Sequence, residues 1–168
     1  PTNVISITDG QIFLESDLFN AGTRPAVNVG LSVSRVGGAA QTKAMKKVSG
    51  TLRMELAQFR EMEIFTQFSS ELDASTAELL NHGHTLMELL KQPLYNPLPM
   101  HDQVIILYAA SHRLLKDVAV KDLKGYIRNA LGYIKKYAPT IISEIDEKKV
   151  MTDELGEKIE KAFKDCIK

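Results

Sequence analysis

Long apolar runs are absent. No stretch of the 168 residues approaches the roughly 20 apolar residues that cross a bilayer. The first residues show no signal-peptide pattern, so no direct membrane insertion is expected and membrane contact would run through partners. Net charge is also lacking: 21 Lys and Arg balance 21 Asp and Glu, so no global field draws in nucleic acid or anionic lipid, and no nucleic-acid partner is expected. Cysteine is nearly missing. Cys166 alone closes no internal disulfide and fits a reducing compartment. Its place in a helical pattern near the terminus argues against a reactive role. No internal repeat and no low-complexity tract interrupts the chain.

What remains is an apolar share of 44% and a charged share of 25%, the balance of an ordinary soluble globular protein. The chain is organised around the stretch from Gly30 to Thr42. Leu31 to Ser34 alternates apolar and polar at the period of a strand, Gly37-Gly38 breaks it, and from Lys43 the pattern is helical almost to the end. Arg35 stands where strand gives way to loop. That position is rigidly based yet free to point outwards, as suits a residue reaching for a phosphate.

Taken in order, Val4, Ile5 and Ile7 read as a strand closed by the turn Thr8-Asp9-Gly10. Gln11 to Leu14 reads as a short extended piece and Glu15 to Phe19 as one or two helical turns. Arg24-Pro25 forces extension, and Val27 to Ser34 reads as the last strand. Two or three strands cannot cover both their faces. Residues 1–42 are therefore expected to be the end of a larger parallel α/β domain, with open edges and an uncovered apolar face that favour self-association.

Residues 43–168 read as a helical bundle. A first helix is expected from about Gln41 to Phe68, with Lys46, Arg53, Gln58 and Arg60 on its far face and Gly50 marking a close contact. Asp73 caps a second helix that runs to Lys91, and Pro93, Pro97 and Pro99 make a connector. Asp102 starts a third helix whose all-round apolar surface suits the middle of the bundle. The stripe from Val120 to Tyr137 ends at Pro139, Ile141 to Ile145 forms a short helix, and Thr152 caps the last one, which buries Leu155, Ile159, Phe163 and Ile167. The class is mainly α, with a fragment of parallel sheet at its start.

Several runs carry a resemblance. Pro1 to Ile12, Arg24-Pro25-Ala26-Val27-Asn28, Ser32-Val33-Ser34-Arg35-Val36-Gly37 and Glu55-Leu56-Ala57-Gln58-Phe59-Arg60 resemble the alpha subunits of F-type ATP synthases, and the likeness extends over the whole chain. No Gly-x-x-x-x-Gly-Lys-Ser/Thr phosphate loop is present, so the resemblance is to the carboxyl-terminal portion of such a subunit. It implies a part in a proton-translocating, membrane-peripheral head, alternating with a beta subunit around a gamma shaft and contacting delta. It also implies ATP or ADP with Mg²⁺ in the intact subunit, and an isolated fragment that is soluble, catalytically inactive and without tightly bound nucleotide. The lysine-rich carboxyl end and the lack of a transit peptide point to the cytoplasmic face of a bacterial membrane.

The same resemblance assigns residues. Arg35 falls on the family's arginine finger, which lends positive charge to the phosphoryl group held by a neighbouring subunit. Ser32 falls on a position needed for cooperative activity; as a residue alone it reads equally as a serine satisfying a strand-end backbone group. Arg24, Pro25 and Gln92 fall on the adenine side of the subunit's own nucleotide, and Leu94 replaces a glutamine common in the family. No metal site is expected: His82 and His84 are two apart on a helix and face different ways, as do Glu61 and Glu63. The rival readings are a secretion or flagellar-export ATPase and a stand-alone helical interaction module.

Overall fold

The computed structural model describes residues 7–66 and 73–166; Val4 and Ile5 of the expected first strand, Phe68 of the first helix and Ile167 of the last lie outside them. Ile7 is helical and exposed, not extended. Strand β1 (Gly10–Gln11) pairs with β2 (Val33–Ser34), Gly10 opposite Ser34 and Gln11 opposite Val33. The pairing is antiparallel, and a further antiparallel bridge joins Leu14 to Val27. Described strand pairing is thus a small antiparallel ribbon where a parallel fragment is expected from sequence. Helix α1 (Ser16–Asn20) lies between the two extended pieces and closes at Gly22, whose φ is +83°.

The continuous strand expected from Val27 to Ser34 is interrupted. Asn28 accepts from the Leu31 amide through Oδ1 and from the Ser32 amide through its carbonyl, so residues 28–32 curl into a turn. An asparagine side chain that serves its own backbone competes with a strand ladder. Beyond β2 the glycine pair is not a loop but part of helix α2 (Arg35–Ala40), capped by the Ser34 hydroxyl, which accepts from the Gly37 amide.

The long first helix is two: α3 (Lys43–Ser49), capped by Thr42, and α4 (Leu52–Thr66), parted at Gly50 and Thr51. Next come α5 (Ala74–Leu89), α6 (Met100–Ser111), a 3₁₀ turn (Val120–Asp122), α7 (Leu123–Tyr137), α8 (Pro139–Lys148) and α9 (Asp153–Asp165). The expected caps are in place: Asp73 accepts from the Thr76 amide and Thr152 from the Leu155 amide, while Pro139 opens α8 where a missing N–H costs nothing.

Helix α6 is the axis of the bundle, packed by α3, α5, α8 and α9. Val104, Ile105 and Ala109 are fully buried in it, which accounts for its apolar circumference. Its first turn carries Asp102, 3% exposed, whose Oδ2 is 2.8 Å from Lys135 Nζ on α7. A carboxylate at a helix N-terminus also meets the positive end of the macrodipole. By contrast, Ile7, Ile12, Leu14 and Val36 in the first part of the chain stay largely open; the uncovered apolar face is there.

Helices α4 and α5 cross where Gly83 faces Phe59: a Cβ on Gly83 would lie 2.0 Å from Phe59 Cδ2. Gly83→Ala is therefore expected to destabilise the chain by about 1–3 kcal/mol through overpacking. Gly125→Ala on α7, with nothing within 4 Å of its Cβ, is expected to stabilise it by about 0.8–1 kcal/mol through helix propensity. Urea unfolding of the two variants checks the opposite signs.

Candidate functional site

The connector between α5 and α6 returns to the start of the chain. Gln92 donates its amide to the Arg24 carbonyl at 3.0 Å, and the two segments wall a cleft of about 1260 Å³. Phe19, Arg24 and Pro25 line one side; Gln92, Pro93, Leu94 and Asn96 line the other. The structure thus brings together three residues that the sequence reading singled out separately. The Arg24–Pro25 bond is cis. Arg24 lays its guanidinium 4.2 Å above the Phe19 ring, a cation–π contact worth about 0.5–1 kcal/mol at an exposed site. Gln92 Nε2 donates to the Asn96 carbonyl at 3.0 Å, which braces the connector. Apolar walls with few polar groups suit a flat heteroaromatic ring, and Leu94, 81% exposed, adds surface but no hydrogen bond.

Arg35 lies at a second place, the junction of β2 and α2. Its side chain is exposed, yet it is held: Nη2 donates to the Thr8 carbonyl at 2.8 Å and Nε to the Asp9 carbonyl at 3.2 Å. The Asp9 carboxylate grips the same junction from below, Oδ2 accepting from the Ser34 hydroxyl and Oδ1 from the Val36 amide. The Ser34 hydroxyl, the Val36 amide and the nearby Arg35 together hold the Asp9 carboxyl below its usual 3.8. That depressed value means the grip is intact at neutral pH and is lost only as the pH falls through the lowered pKa. With the Thr8 and Asp9 carbonyls among its partners, this surface guanidinium is restrained in direction but not buried.

Ser32 does not face open solvent as a reactive group. Its hydroxyl donates to the Asn28 carbonyl at 2.6 Å and accepts from the Phe13 amide at 3.0 Å, the backbone-satisfying role that its residue type alone also allows. Below it lies Asn28, 6% exposed, which sequence reasoning passed over. Asn28 Nδ2 donates to Glu15 on the cleft wall at 2.6 Å, and Oδ1 accepts from Arg60 on α4 at 2.9 Å. Arg53, seven residues earlier on the same face of α4, donates to the Gly30 carbonyl. The far face of the first helix, where the sequence places Arg53 and Arg60, is the joint between the two parts of the chain. An asparagine two residues before a glycine, with two arginines seven apart on a later helix, was the available signal.

The remaining candidates take structural places. His82 lies 3.0 Å from Glu55, His84 sits edge-on to Phe59, and His101 bridges towards Asp146 at 3.0 Å. No group of three metal-binding side chains converges among the described residues. Glu61 and Glu63 are exposed, and the Cys166 thiol is half-buried, donating to the Phe163 carbonyl.

Residues 41–166 match the family model described as the ATP synthase alpha/beta chain, C terminal domain, and residues 1–34 match the ATP synthase alpha/beta family, nucleotide-binding domain. The chain is 57% identical over 163 residues to the ATP synthase subunit alpha of Aquifex aeolicus, covering 97% of this chain and 32% of that protein. It is 56% identical to that of Clostridium botulinum (98% of this chain, 33% of the relative) and 51% identical to that of Lawsonia intracellularis (100% and 33%). The chain thus spans about a third of the length of these curated relatives.

Asn28→Ala removes the acceptor shared by Leu31 and Arg60 and the donor to Glu15. The expected outcome is a local loss of about 1–3 kcal/mol, the cost of leaving such groups unmatched. It is read as faster hydrogen exchange at the Leu31 and Ser32 amides than at Val104. Unchanged protection at those two amides would show that the turn stands without the carboxamide.

Proposed function

The chain belongs to the ATP synthase alpha/beta family, and from that premise we propose that it is the carboxyl-terminal part of an alpha subunit of a proton-translocating F-type synthase. It serves the rotary head in two ways. One face forms the base end of the subunit's own non-catalytic nucleotide site. The other presents Arg35 to ATP held by an adjacent beta subunit. The observation that carries the reading is the cleft: Arg24 and Pro25 meet Gln92 across it, although the two segments are far apart in sequence. The curated relatives named above are ATP synthase alpha subunits, which weighs against the export-ATPase and stand-alone readings.

The roles follow from chemistry. Pro25 and the aliphatic surface of Leu94 flank an adenine ring, Gln92 offers its carboxamide to the ring edge, and Arg24 closes the side through its contact with Phe19. Phosphates and Mg²⁺ are another matter. The cleft carries no glycine-rich cradle of backbone amides, so these residues fit the base and not the phosphates, and the isolated chain binds nucleotide weakly and turns over none. Arg35 supplies a flat, permanently charged fork to the transferred phosphoryl oxygens. Ser32 positions that arginine through the turn at Asn28 and catalyses nothing itself.

In the assembled head the helical part packs with beta neighbours around the gamma shaft, with delta contacting the ring. The head is peripheral on the cytoplasmic face of a bacterial membrane; among the described residues no helix is long and apolar enough to cross one. Taken alone, the chain is expected to associate with itself through the open face at Ile7, Ile12, Leu14 and Val36.

In a reconstituted alpha–beta–gamma ring, Arg35→Ala is expected to slow steady-state ATP hydrolysis by about 10³- to 10⁵-fold, roughly 4–7 kcal/mol of barrier. Arg35→Lys is expected to recover little, because a point charge cannot reproduce the fork. Turnover within tenfold of the unmodified ring in the alanine variant removes the finger.

A further inference from the structure

We infer that Arg60 and Arg53 of α4 are positioning residues for the Arg35 finger: the helical part of the chain sets the course of the turn that leads into β2. The inference rests on the reading of Arg35 given above. Strand β2 is two residues long and exposed, and β1 opposite it is equally short. A two-stranded ribbon of that size is marginal by itself. The turn before it is held from outside the ribbon. Arg60 Nη1 donates to Asn28 Oδ1 at 2.9 Å, and Arg53 Nη2 donates to the Gly30 carbonyl. From Gly30 the chain runs directly into β2 and then to Arg35.

Seven residues are close to two helical turns, so both arginines leave the same face of α4, about 10 Å apart along its axis. One attachment leaves a turn free to pivot; two spaced attachments fix its direction as well. The attachment at Asn28 has a defined polarity. Its carboxamide lies between the Arg60 guanidinium on the oxygen side and the Glu15 carboxylate, 2.6 Å away, on the nitrogen side. Hydrogen bonds to charged groups are the strong ones, and this order of charges admits one orientation of the amide. The same oxygen accepts from the Leu31 amide at 3.1 Å, so the atom that closes the turn is the atom that holds Arg60. Gly30 leaves room for it: a Cβ there would lie 3.3 Å from Asn28 Oδ1 and 3.8 Å from Arg60 Nη1. On its inner side α4 is fixed in the bundle by the buried Leu56 and by Phe59 against Gly83 of α5. A displacement of about 1 Å in a catalytic group costs on the order of 10²-fold in rate, so a finger carried on a short ribbon needs such a brace.

The test uses the same reconstituted ring. Arg60→Ala is expected to lower kcat by about 10- to 100-fold with KM within about threefold, and to weaken inhibition by ADP-fluoroaluminate, which mimics the transferring phosphoryl group. Arg53→Ala, which removes the other attachment, is expected to shift both readouts in the same direction by a smaller factor. In an Arg35→Ala background, Arg60→Ala is expected to add nothing, whereas a residue that only stabilises the fold adds its full loss there. Two results overturn the inference: unchanged kcat and fluoroaluminate inhibition in Arg60→Ala, or an undiminished further loss in the Arg35→Ala background. If Arg60→Ala rings do not assemble, Arg53→Ala decides, and unchanged fluoroaluminate inhibition in that variant overturns the inference. An Arg35→Ala ring of full activity sinks the underlying finger reading instead, a different outcome from any of these.

Discussion

One buried carboxamide ties the two parts of this molecule together. Asn28 is almost inaccessible to solvent, and its side chain meets a carboxylate from the cleft wall, a guanidinium from the helical part and an amide of its own turn. In a low-dielectric setting a fully matched polar group specifies one geometry, whereas a half-matched one is costly. Arg60 donates to the same Asn28 oxygen, and this shared acceptor holds α4 against the turn. Arg53 then reaches Gly30 from the same helix face. The antiparallel ribbon and the helical bundle are joined by these polar contacts, while Ile7, Ile12, Leu14 and Val36 of the first part remain outward.

The helical half was readable because its signals are local. Thr152, Asp73 and Pro139 each act within one turn of their own position, and periodic leucines and isoleucines mark the buried face of α7 and α9 without reference to anything distant. Helix α6 also announced itself, since an apolar circumference has only one stable location in a bundle. The sheet half was harder. Alternation in Leu31 to Ser34 promised a strand, yet Asn28 and Gly30 turned its first half into a turn, and the glycine pair entered a helix because the Ser34 hydroxyl and the Asp9 carboxylate cap it. Direction of pairing is a non-local property: two short segments read alike whether they run parallel or antiparallel.

The site shows the same division. Arg24, Pro25 and Gln92 were selected by likeness to a family, and the fold brings them to one cleft. The residues that hold others in place left weaker traces. Asp9 looked like part of a turn, Arg53 and Arg60 stood only on the far face of the first helix, and nothing local marks Gly83; each acquires its role only when a partner from elsewhere in the chain arrives. Gly83 matters through the Phe59 ring across from it, and no property of its own neighbours discloses that.

The hydrogen bond from the Gln92 amide to the Arg24 carbonyl has a mechanical side. It pins the lead-in to α6, the axis of the bundle, to the segment that α1 and the Asn28 turn enclose. Any molecule seated between the walls of the cleft would touch both of the segments that this hydrogen bond joins, so a shift of one wall is carried to the other through a single main-chain contact.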